Sequence, residues 1–371
     1  VQAFDADTLT SLWIYRDPLA GQPNSPLTYA DHCVYTGFWN DETEDANFVC
    51  LTTTDEDPDR SDETKLARWA YTAKGGFYWA GAYVDPNGRF LLVGTDDGDA
   101  FCVSPTSALL CLDPATGKTL DKLENLRGDI RCSITRADDC FYFVSKGGCF
   151  YSVAMNADGT AFDRESLWKV DLQNGGSSDA TPAMSTSTPV IRNSRAYVGV
   201  SGTSQFGAYS GHNITVIDLP SRKIAYSVPT MGYSQTSGLL TTAYGTKTYV
   251  YFFDNLTPGK LRVLEDSPNQ PAPTLLTKET YQNQGKTETL NTAYVLFTPQ
   301  EEHSQYAICS PITDDYGTLF FKNDSAHLMA LTSAVTGVAV KKMPNKVTYA
   351  RGEKFDPTGM ILTVTYANGN T

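Results

Sequence analysis

The chain has 371 residues, with 29 basic and 42 acidic side chains and a formal net charge of −13. Because nucleic-acid affinity depends on basic residues that neutralise phosphates, this charge argues against a nucleic-acid partner. Hydrophobic residues make up 41% of the chain and charged residues only 19%, which excludes a disordered protein. No apolar run approaches the roughly 18 residues of a transmembrane helix, so we expect no insertion into a membrane.

Short strand-like segments recur along the chain between clusters of turn residues. Residues 89–95 (RFLLVGT) and 140–155 (CFYFVSKGGCFYSVAM) are rich in Val, Leu, Phe and Tyr. Residues 85–88 (DPNG) supply the backbone freedom that a hairpin turn needs. Because no apolar stripe with a 3.6-residue period extends beyond two turns, the sequence predicts an all-β fold.

The strand-like segments are grouped into a longer sequence repeat. Each copy contains a hairpin, a strand that reads A/L-x-D before a turn, and a closing strand that carries a large apolar residue. Complete or partial copies cover residues 1–13, 25–71, 81–123, 133–172, 187–228, 239–266 and 310–332. Units of about four strands that bury their faces on one another are typical of a β-propeller. The sequence therefore predicts a six- or seven-bladed propeller of four-stranded blades over residues 1–333, and its start in mid-repeat indicates a fragment of a longer chain.

Three tryptophans occupy the same place in their copies, namely Trp13, Trp69 and Trp168. Large aromatic side chains supply much of the apolar burial in such folds. We therefore interpret these three residues as core between neighbouring blades and not as ligand contacts.

The copies resemble the pyrroloquinoline-quinone-like repeat of quinoprotein dehydrogenases and of many non-enzymatic propellers. The likeness is carried by residues 1–13 (VQAFDADTLTSLW), 108–120 (ALLCLDPATGKTL) and 187–202 (STPVIRNSRAYVGVSG). The resemblance implies that an enzymatic member would bind the quinone beneath a disulfide between adjacent cysteines. None of the eight cysteines here are adjacent, so the resemblance implies a propeller without this cofactor, and no active-site residue can be carried over.

The last part of the chain resembles the first half of a bacterial immunoglobulin-like domain. The matching positions are Pro344, Lys346, Tyr349, Gly352, Glu353, Phe355, Asp356, Thr358, Gly359, Thr365, Tyr366, Asn368 and Gly369. The resemblance implies a partial immunoglobulin-like β-sandwich segment over residues 334–371. It also implies an extracellular or cell-wall-associated location and a monomeric propeller within a long multidomain bacterial protein. A periplasmic assembly scaffold, a third interpretation, is disfavoured by this segment.

The sequence shows no recognisable catalytic pattern. The four histidines, His32, His212, His303 and His327, lack the spacing of zinc hydrolases. Ser210 has Ala208 where a nucleophile elbow needs glycine, and the glycine-rich stretches at 175–176 and 199–211 do not follow phosphate-binding patterns. We predict neither catalytic residues nor a dedicated metal site.

Two acidic runs could supply oxygen ligands to Ca²⁺. They contain Asp96, Asp97 and Asp99 in one turn, and residues 55–59 in another. Because neither follows the regular calcium-loop spacing, we favour solvated turns and leave Ca²⁺ open as the one cofactor of interest.

The cysteine spacing allows two disulfides. If hairpin turns centre near residues 41 and 106, Cys33 lies opposite Cys50 and Cys102 opposite Cys111. The alternative is that these cysteines are buried free thiols that act as small apolar residues.

Four aromatic residues fall outside the periodic tryptophan position. They are Trp39 in GFWND and Phe77, Tyr78 and Trp79 in GGFYWAG. A loop tryptophan beside polar groups can stack on a sugar or anchor a protein. We predict these four as ligand-binding residues, with packing at the axial channel or at a blade junction as the alternative.

The sequence favours a non-catalytic extracellular or cell-surface binding or scaffold propeller that recognises a glycan or a protein. Loops on one face, within residues 40–65 and 267–305, would provide the binding surface. The alternative is a quinoprotein-like oxidoreductase, or another propeller enzyme, with an axial active site where acidic side chains converge.

Overall fold

The structure, a computed structural model, describes residues 1–173, 183–202, 211–242, 246–283, 285–332 and 335–366. These residues form strands and turns, together with one short 3₁₀ helix, η1 (Glu301–His303). No helix in these ranges has the length and apolar character to cross a bilayer.

The first two blades contain seven strands. They are β1 (Gln2–Phe4), β2 (Ser11–Ile14), β3 (Thr28–Ala30), β4 (Cys33–Gly37), β5 (Asp45–Thr52), β6 (Glu63–Thr64) and β7 (Trp69–Lys74). The first sheet has the order β1-β2-β6 and the second β3-β4-β5-β7. Strand β6 leaves the second repeat and pairs in parallel with β2, which joins the two blades.

The next three blades are antiparallel sheets whose four strands follow one another in sequence. The third contains β8 (Tyr83–Val84), β9 (Leu91–Gly94), β10 (Ser107–Leu112) and β11 (Thr119–Leu126). The fourth contains β12 (Thr135–Ala137), β13 (Cys140–Ser145), β14 (Cys149–Met155) and β15 (Phe162–Asp171). The fifth contains β16 (Val190–Arg192), β17 (Arg195–Val200), β18 (Asn213–Asp218) and β19 (Lys223–Pro229).

The last two blades differ from this pattern. The sixth has the order β20-β21-β22-β24-β23, and the seventh has three strands, β25-β26-β27. Their bounds are β20 (Leu239–Thr241), β21 (Thr248–Phe253), β22 (Leu261–Asp266), β23 (Leu276–Asn283), β24 (Lys286–Phe297), β25 (Ile312–Thr313), β26 (Leu319–Lys322) and β27 (Leu328–Leu331).

The predicted all-β propeller is confirmed, and the described sheets form seven blades. The repeat copies over residues 81–123, 133–172 and 187–228 correspond to the third, fourth and fifth blades. The two segments predicted as binding loops each contain strands as well as irregular chain. Residues 40–65 contain β5 and β6, and residues 267–305 contain the β23–β24 hairpin and η1.

Hydrogen bonds between the inner ends of neighbouring blades join the second blade to the seventh in succession. They run from Thr28 Oγ1 to Ala82 O (3.1 Å), Gly81 N to Cys132 O (3.3 Å), Thr135 Oγ1 to Pro189 O (2.6 Å), Ser187 Oγ to Thr236 O (2.9 Å) and Thr236 Oγ1 to Cys309 O (2.9 Å). Each bond contributes about 1 kcal/mol and satisfies a polar group that would otherwise be buried without a partner. This inner belt, the set of bonds just given, runs from the second blade to the seventh.

The periodic tryptophans pack as predicted in two of three copies. Trp13 and Trp69 are 2% and 8% exposed. The Trp69 indole N–H donates to Pro114 O in the next blade (2.9 Å), and its ring lies on Gly117 of the same turn. Trp168 is only half-buried, with the Arg222 guanidinium 5.5 Å from its ring centroid. The closing aromatic residue of the second blade thus packs on the Asp113–Gly117 turn of the third.

Both predicted cysteine registers are wrong. Cys33 lies opposite Thr52, because the β4–β5 turn centres about one residue later than assumed. Cys111 lies opposite Leu92 and Asp121, whereas Cys102 belongs to the loop before β10. All eight thiols are free. Among them, the pKa of Cys111 is raised to about 12 by burial, followed by the nearby charge of Asp121.

The tail forms one antiparallel pair, β28 (Val335–Lys342) with β29 (Ile361–Tyr366). Between these strands the Tyr349 hydroxyl donates to Lys346 O (2.8 Å) and accepts from Asp356 N (3.0 Å). The motif residues in this region thus organise the connection locally. Asn368 and Gly369 lie outside the described residues, and the partial immunoglobulin-like domain over 334–371 stays a prediction.

Candidate functional site

A cavity of about 600 Å³ lies at the propeller axis. Its wall is built by the segments that precede the inner strand of each blade from the second to the seventh. One wall residue from each of these blades is Asn24, Trp79, Ser133, Thr188, Ser237 and Ser310. Most of the wall carries hydroxyl or amide groups, and Trp79 supplies its one large aromatic surface in the described part of the chain.

Three of the four predicted aromatic residues form a continuous stack that reaches this cavity. The rings of Trp79 and Tyr78 have centroids 4.4 Å apart and an interplanar angle of 21°. Tyr78 in turn contacts Trp39, with centroids 4.9 Å apart. All three side chains are half-buried. The structure therefore brings together residues from two distant segments, and their role in ligand binding stays a prediction.

Phe77, the fourth predicted residue, belongs to the core. Its side chain is 0% exposed, and its ring packs against Phe48 (centroids 5.3 Å apart) and Tyr71 (6.4 Å). Its assignment as a ligand contact is corrected, because no part of the side chain reaches a surface. Phe77 lies in an irregular segment, where no strand or helix periodicity predicts the direction of a side chain.

The backbone of the GGFYWAG segment explains how adjacent aromatics separate. Gly75 and Gly76 both have positive φ, 75° and 74°. A Cβ on Gly76 would lie 2.8 Å from both Ala46 Cβ and Phe38 O, so only glycine fits there. Trp79 also has a positive φ of 57°, an uncommon conformation for a bulky residue. This double turn sends Phe77 into the core and Trp79 to the axial cavity, with Tyr78 stacked against Trp79.

Arg131 lies beneath the aromatic stack and also contributes to the cavity wall. Its guanidinium carbon lies 4.8 Å from the Tyr78 ring centroid, a cation–π contact. Its Nη2 lies 2.7 Å from Asp96 Oδ2 and 2.9 Å from Asp129 Oδ2, and it also contacts the Glu42 carboxylate. Burial acts to lower the pKa of Arg131, but the surrounding carboxylates raise it overall. The charge of Arg131 is therefore already matched by protein groups.

The acidic turn over residues 95–106 buries its first residues and exposes much of the rest. Asp97 Oδ1 accepts from Asp99 N and Oδ2 accepts from Ser104 N, both at 2.8 Å. Burial, and then the negative charge of Asp129, raise the pKa of Asp97 to about 6. Asp96 and Asp97 are 3% and 8% exposed, so the expectation of a solvated turn is wrong for them. Their oxygens bind Arg131 and the backbone of the loop.

A set of possible cation ligands lies at the same place. Within the described ranges, Glu42, Cys102 and Asp129 bring ligand atoms to within 4.8 Å of one another. Asp129 already faces Arg131, and Lys146 Nζ lies 3.4 Å from its Oδ2. These two basic groups supply the positive charge that a metal ion would bring, so we assign no metal here. Ca²⁺ as a cofactor stays a prediction.

Two features escaped the sequence prediction. Arg131 was not singled out, and two of its three acidic partners come from positions 35 and 89 residues away. The sequence spacing did not pair His303 with His327, yet their rings lie in contact with centroids 4.7 Å apart. Ser210 and the glycines at 175–176 lie outside the described residues.

Comparisons with known proteins give no family assignment. No protein-family model matches the chain, and no curated protein matches it. Among solved structures, BamB from Moraxella catarrhalis is similar at 12% identity and a TM-score of 0.44, over 86% of this chain and 91% of that one. Sqt1 from Saccharomyces cerevisiae is similar at 9% identity and a TM-score of 0.47, over 82% and 71%. Because both scores are low, the fold assignment rests on the blades described above.

Proposed function

We propose that this protein is a non-catalytic propeller that binds a neutral glycan at its axial cavity. The observation that carries the proposal is the aromatic stack of Trp39, Tyr78 and Trp79, which opens onto a cavity walled by hydroxyl and amide groups. The apolar face of a sugar ring stacks on an aromatic side chain, while its hydroxyl groups need hydrogen-bond partners around the rim. The cavity volume falls within the roughly 300–1,000 Å³ of small-molecule sites.

The electrostatics support a neutral ligand. Arg131 is the charged residue of the described cavity wall, and it is 4% exposed. It is surrounded by Glu42, Asp96 and Asp129. A carboxylate on the ligand would meet this excess of negative charge without gaining a free cation. We therefore expect neutral sugars to bind better than uronic or sialic acids.

The enzymatic alternative predicted acidic side chains that converge on the cavity. The cavity wall, as far as the chain is described, contains hydroxyl, amide, aromatic and guanidinium groups but no carboxylate. General acid–base catalysis needs a titratable group within hydrogen-bond reach of the substrate. This wall supports binding, and the proposal includes no catalytic step.

We also propose the domain arrangement and the extracellular location that the sequence indicates. A propeller over residues 1–333 followed by an immunoglobulin-like segment over 334–371 would present the cavity outside the cell or on the cell wall, as a monomer within a longer chain. A protein ligand remains the alternative to a glycan, since exposed tryptophan and tyrosine also anchor proteins.

The test is a neutral-glycan array followed by calorimetric titration of any hit. We expect Trp79→Ala to weaken binding at least tenfold and Trp79→Phe to retain part of it. Trp168→Ala is the matched control, because Trp168 is also half-buried but lies on the outer strand β15. Absence of neutral-glycan binding, or equal binding by Trp79→Ala and the wild type, would refute the proposal.

A further inference from the structure

The seventh blade lacks an outer strand. In the third, fourth and fifth blades the third strand lies between two neighbours, and the fourth strand covers its outer edge. The corresponding strand of the seventh blade is β27, which pairs only with β26 in the described ranges. The chain then enters β28, which pairs with β29 in a separate sheet. One edge of β27 therefore has no strand partner among the described residues, and such an edge is a template for pairing with another chain.

One face of the seventh blade is exposed and apolar. Phe320 lies opposite Ile312 in β25 and opposite Ala330 in β27, so these three side chains share a face. Leu328 lies two residues from Ala330 along β27 and points to the same face. Ile312 and Leu328 are 63% and 75% exposed, whereas residues 109–112 of the equivalent strand β10 are fully buried. The free edge of β27 thus lies beside an uncovered apolar surface.

The opposite face of this blade is packed on its neighbour. Phe321 is 3% exposed, and its ring centroid lies 4.8 Å from that of Phe253 in the sixth blade. Leu319 and Met329 pack against the same cluster. The seventh blade is therefore held to the sixth without an outer strand, and its free edge belongs to a folded sheet.

The described strands at the start of the chain do not fill this position. Trp13 in β2 corresponds to the closing residue of an outer strand, but β2 already pairs with β1 on one side and with β6 on the other. Trp13 belongs to one hydrophobic cluster with Phe38 and Val49 of the second blade. Among the described residues, no such cluster joins the first blade to the seventh. The outer edge of the seventh blade is therefore open to a strand from elsewhere.

The other blades define the pattern that such a strand needs. In β19, the outer strand of the fifth blade, Tyr226 and Val228 are 8% and 0% exposed. In β11, the outer strand of the third blade, Leu123 is buried between the exposed residues Lys122 and Glu124. Buried apolar side chains thus alternate with polar ones, because successive residues of a strand point to opposite faces.

We propose that β27 binds an extended segment of a partner polypeptide as the fourth strand of the seventh blade. Main-chain hydrogen bonds to the edge of β27 supply affinity, and apolar side chains at alternate positions cover Leu328 and Phe320. The partner segment therefore has the alternating pattern of this chain's own outer strands. The wall residues of the axial cavity in this blade, Ile308 and Ser310, precede β25, so the inference is independent of the glycan proposal.

The test adds outer-strand peptides to the untagged full chain. The fluorescent probes are residues 117–127, 162–172 and 221–230, which contain the outer strands of the third, fourth and fifth blades. Fluorescence anisotropy is expected to show saturable binding of at least one probe, with one peptide per chain. The same peptide with methylated backbone nitrogens is expected to bind at least tenfold more weakly, because it cannot donate main-chain hydrogen bonds to β27.

A substitution on the free face tests the position of the bound strand. Leu328→Lys is expected to weaken peptide binding at least tenfold, because it places a charge among the apolar side chains that the incoming strand covers. Leu120→Lys is the matched control, since Leu120 is also exposed but lies on β11 of the third blade. Because both leucines are exposed, thermal melts of the two variants should match that of the wild type.

Four outcomes would overturn the strand site. They are no binding by any of the three peptides, equal binding by the methylated peptide, equal binding by Leu328→Lys and the wild type, and equal loss in Leu120→Lys. A wild-type dimer that Leu328→Lys dissociates, measured by sedimentation, would assign the edge to a second copy and would also overturn the proposal. Glycan affinity is expected to be unchanged in Leu328→Lys, so failure here is distinguishable from failure of the glycan proposal.

Discussion

Arg131 and Tyr78 pack against each other, with the guanidinium carbon 4.8 Å from the centroid of the phenol ring. One face of this pair belongs to the aromatic stack at the axial cavity. The other belongs to a buried acidic cluster formed by Asp96, Asp129 and Glu42. The position of the binding surface therefore depends on a charge balance beneath it.

Arg131→Met is expected to destabilise the protein by about 3–5 kcal/mol, because it leaves Asp96 and Asp129 buried without their main cation. Chemical denaturation measures the difference. Arg60→Met is the control, since Arg60 pairs with Asp62 at the surface with 57% and 74% of the two side chains exposed, and such pairs contribute about 0–1 kcal/mol. Similar losses in both variants would contradict the importance of the buried cluster.

Stability is expected to depend on the protonation of Asp97. Its pKa in the folded state is raised to about 6, by burial and then by Asp129, above the value of about 3.9 in an unfolded chain. A raised acid pKa contributes stability that is present below about pH 4 and is lost as the pH rises through about 6. Relative to Asp97→Asn, the wild type should therefore lose stability between pH 4 and pH 6, both approximate limits set by these two pKa values.

Denaturation midpoints of both proteins across this range measure the effect. Asp139→Asn serves as the control, because the Asp139 side chain is fully exposed. Parallel pH profiles of the wild type and Asp97→Asn would show that burial of Asp97 does not control its titration.

Gly117→Ala is expected to destabilise the contact between the second and third blades. Gly117 has a φ of 71°, and a Cβ there would lie 2.6 Å from the Trp69 ring. Gly88→Ala is a matched control, since Gly88 has a φ of 67° but no atom within 4 Å of the added Cβ. The control should lose about 1 kcal/mol from backbone strain alone. Gly117→Ala should lose about 1–3 kcal/mol more from overpacking. Equal losses by denaturation would argue against a close contact with Trp69.

Phe77→Leu and Tyr78→Leu should distinguish a core residue from a neighbouring residue of the proposed binding site. Phe77 is fully buried, so its change should lower the unfolding free energy by about 1–3 kcal/mol without altering glycan affinity. Tyr78 lies between Trp39 and Trp79, so its change should weaken glycan binding with a smaller loss of stability. Denaturation and calorimetric titration of both variants measure these effects. The reverse pattern would contradict the corrected assignment of Phe77.

The fold could be predicted because its determinants repeat. Strand hairpins, an A/L-x-D strand end and a closing apolar residue recur in several copies, so a single chain shows the pattern several times. The strand register could not be predicted as accurately. A shift of about one residue in the β4–β5 turn was enough to place Cys33 opposite Thr52 instead of Cys50.

The site was only partly predictable, because its contacts are neither local nor periodic. Trp39 and Trp79 were singled out since they break the repeat. The orientation of Phe77 depends on the positive φ values of Gly75 and Gly76, which the sequence does not reveal. Arg131 meets Glu42 across 89 positions, and His303 meets His327 between two irregular segments. No short separation along the sequence indicates that such residues meet.

Thr236 belongs both to the cavity wall and to the inner belt, where it bonds Cys309 of the next blade. A sugar hydroxyl that bonds to this side chain would contact the boundary between two blades as well as the cavity. Binding of a sugar in the cavity would therefore also stabilise the contact between the sixth and seventh blades.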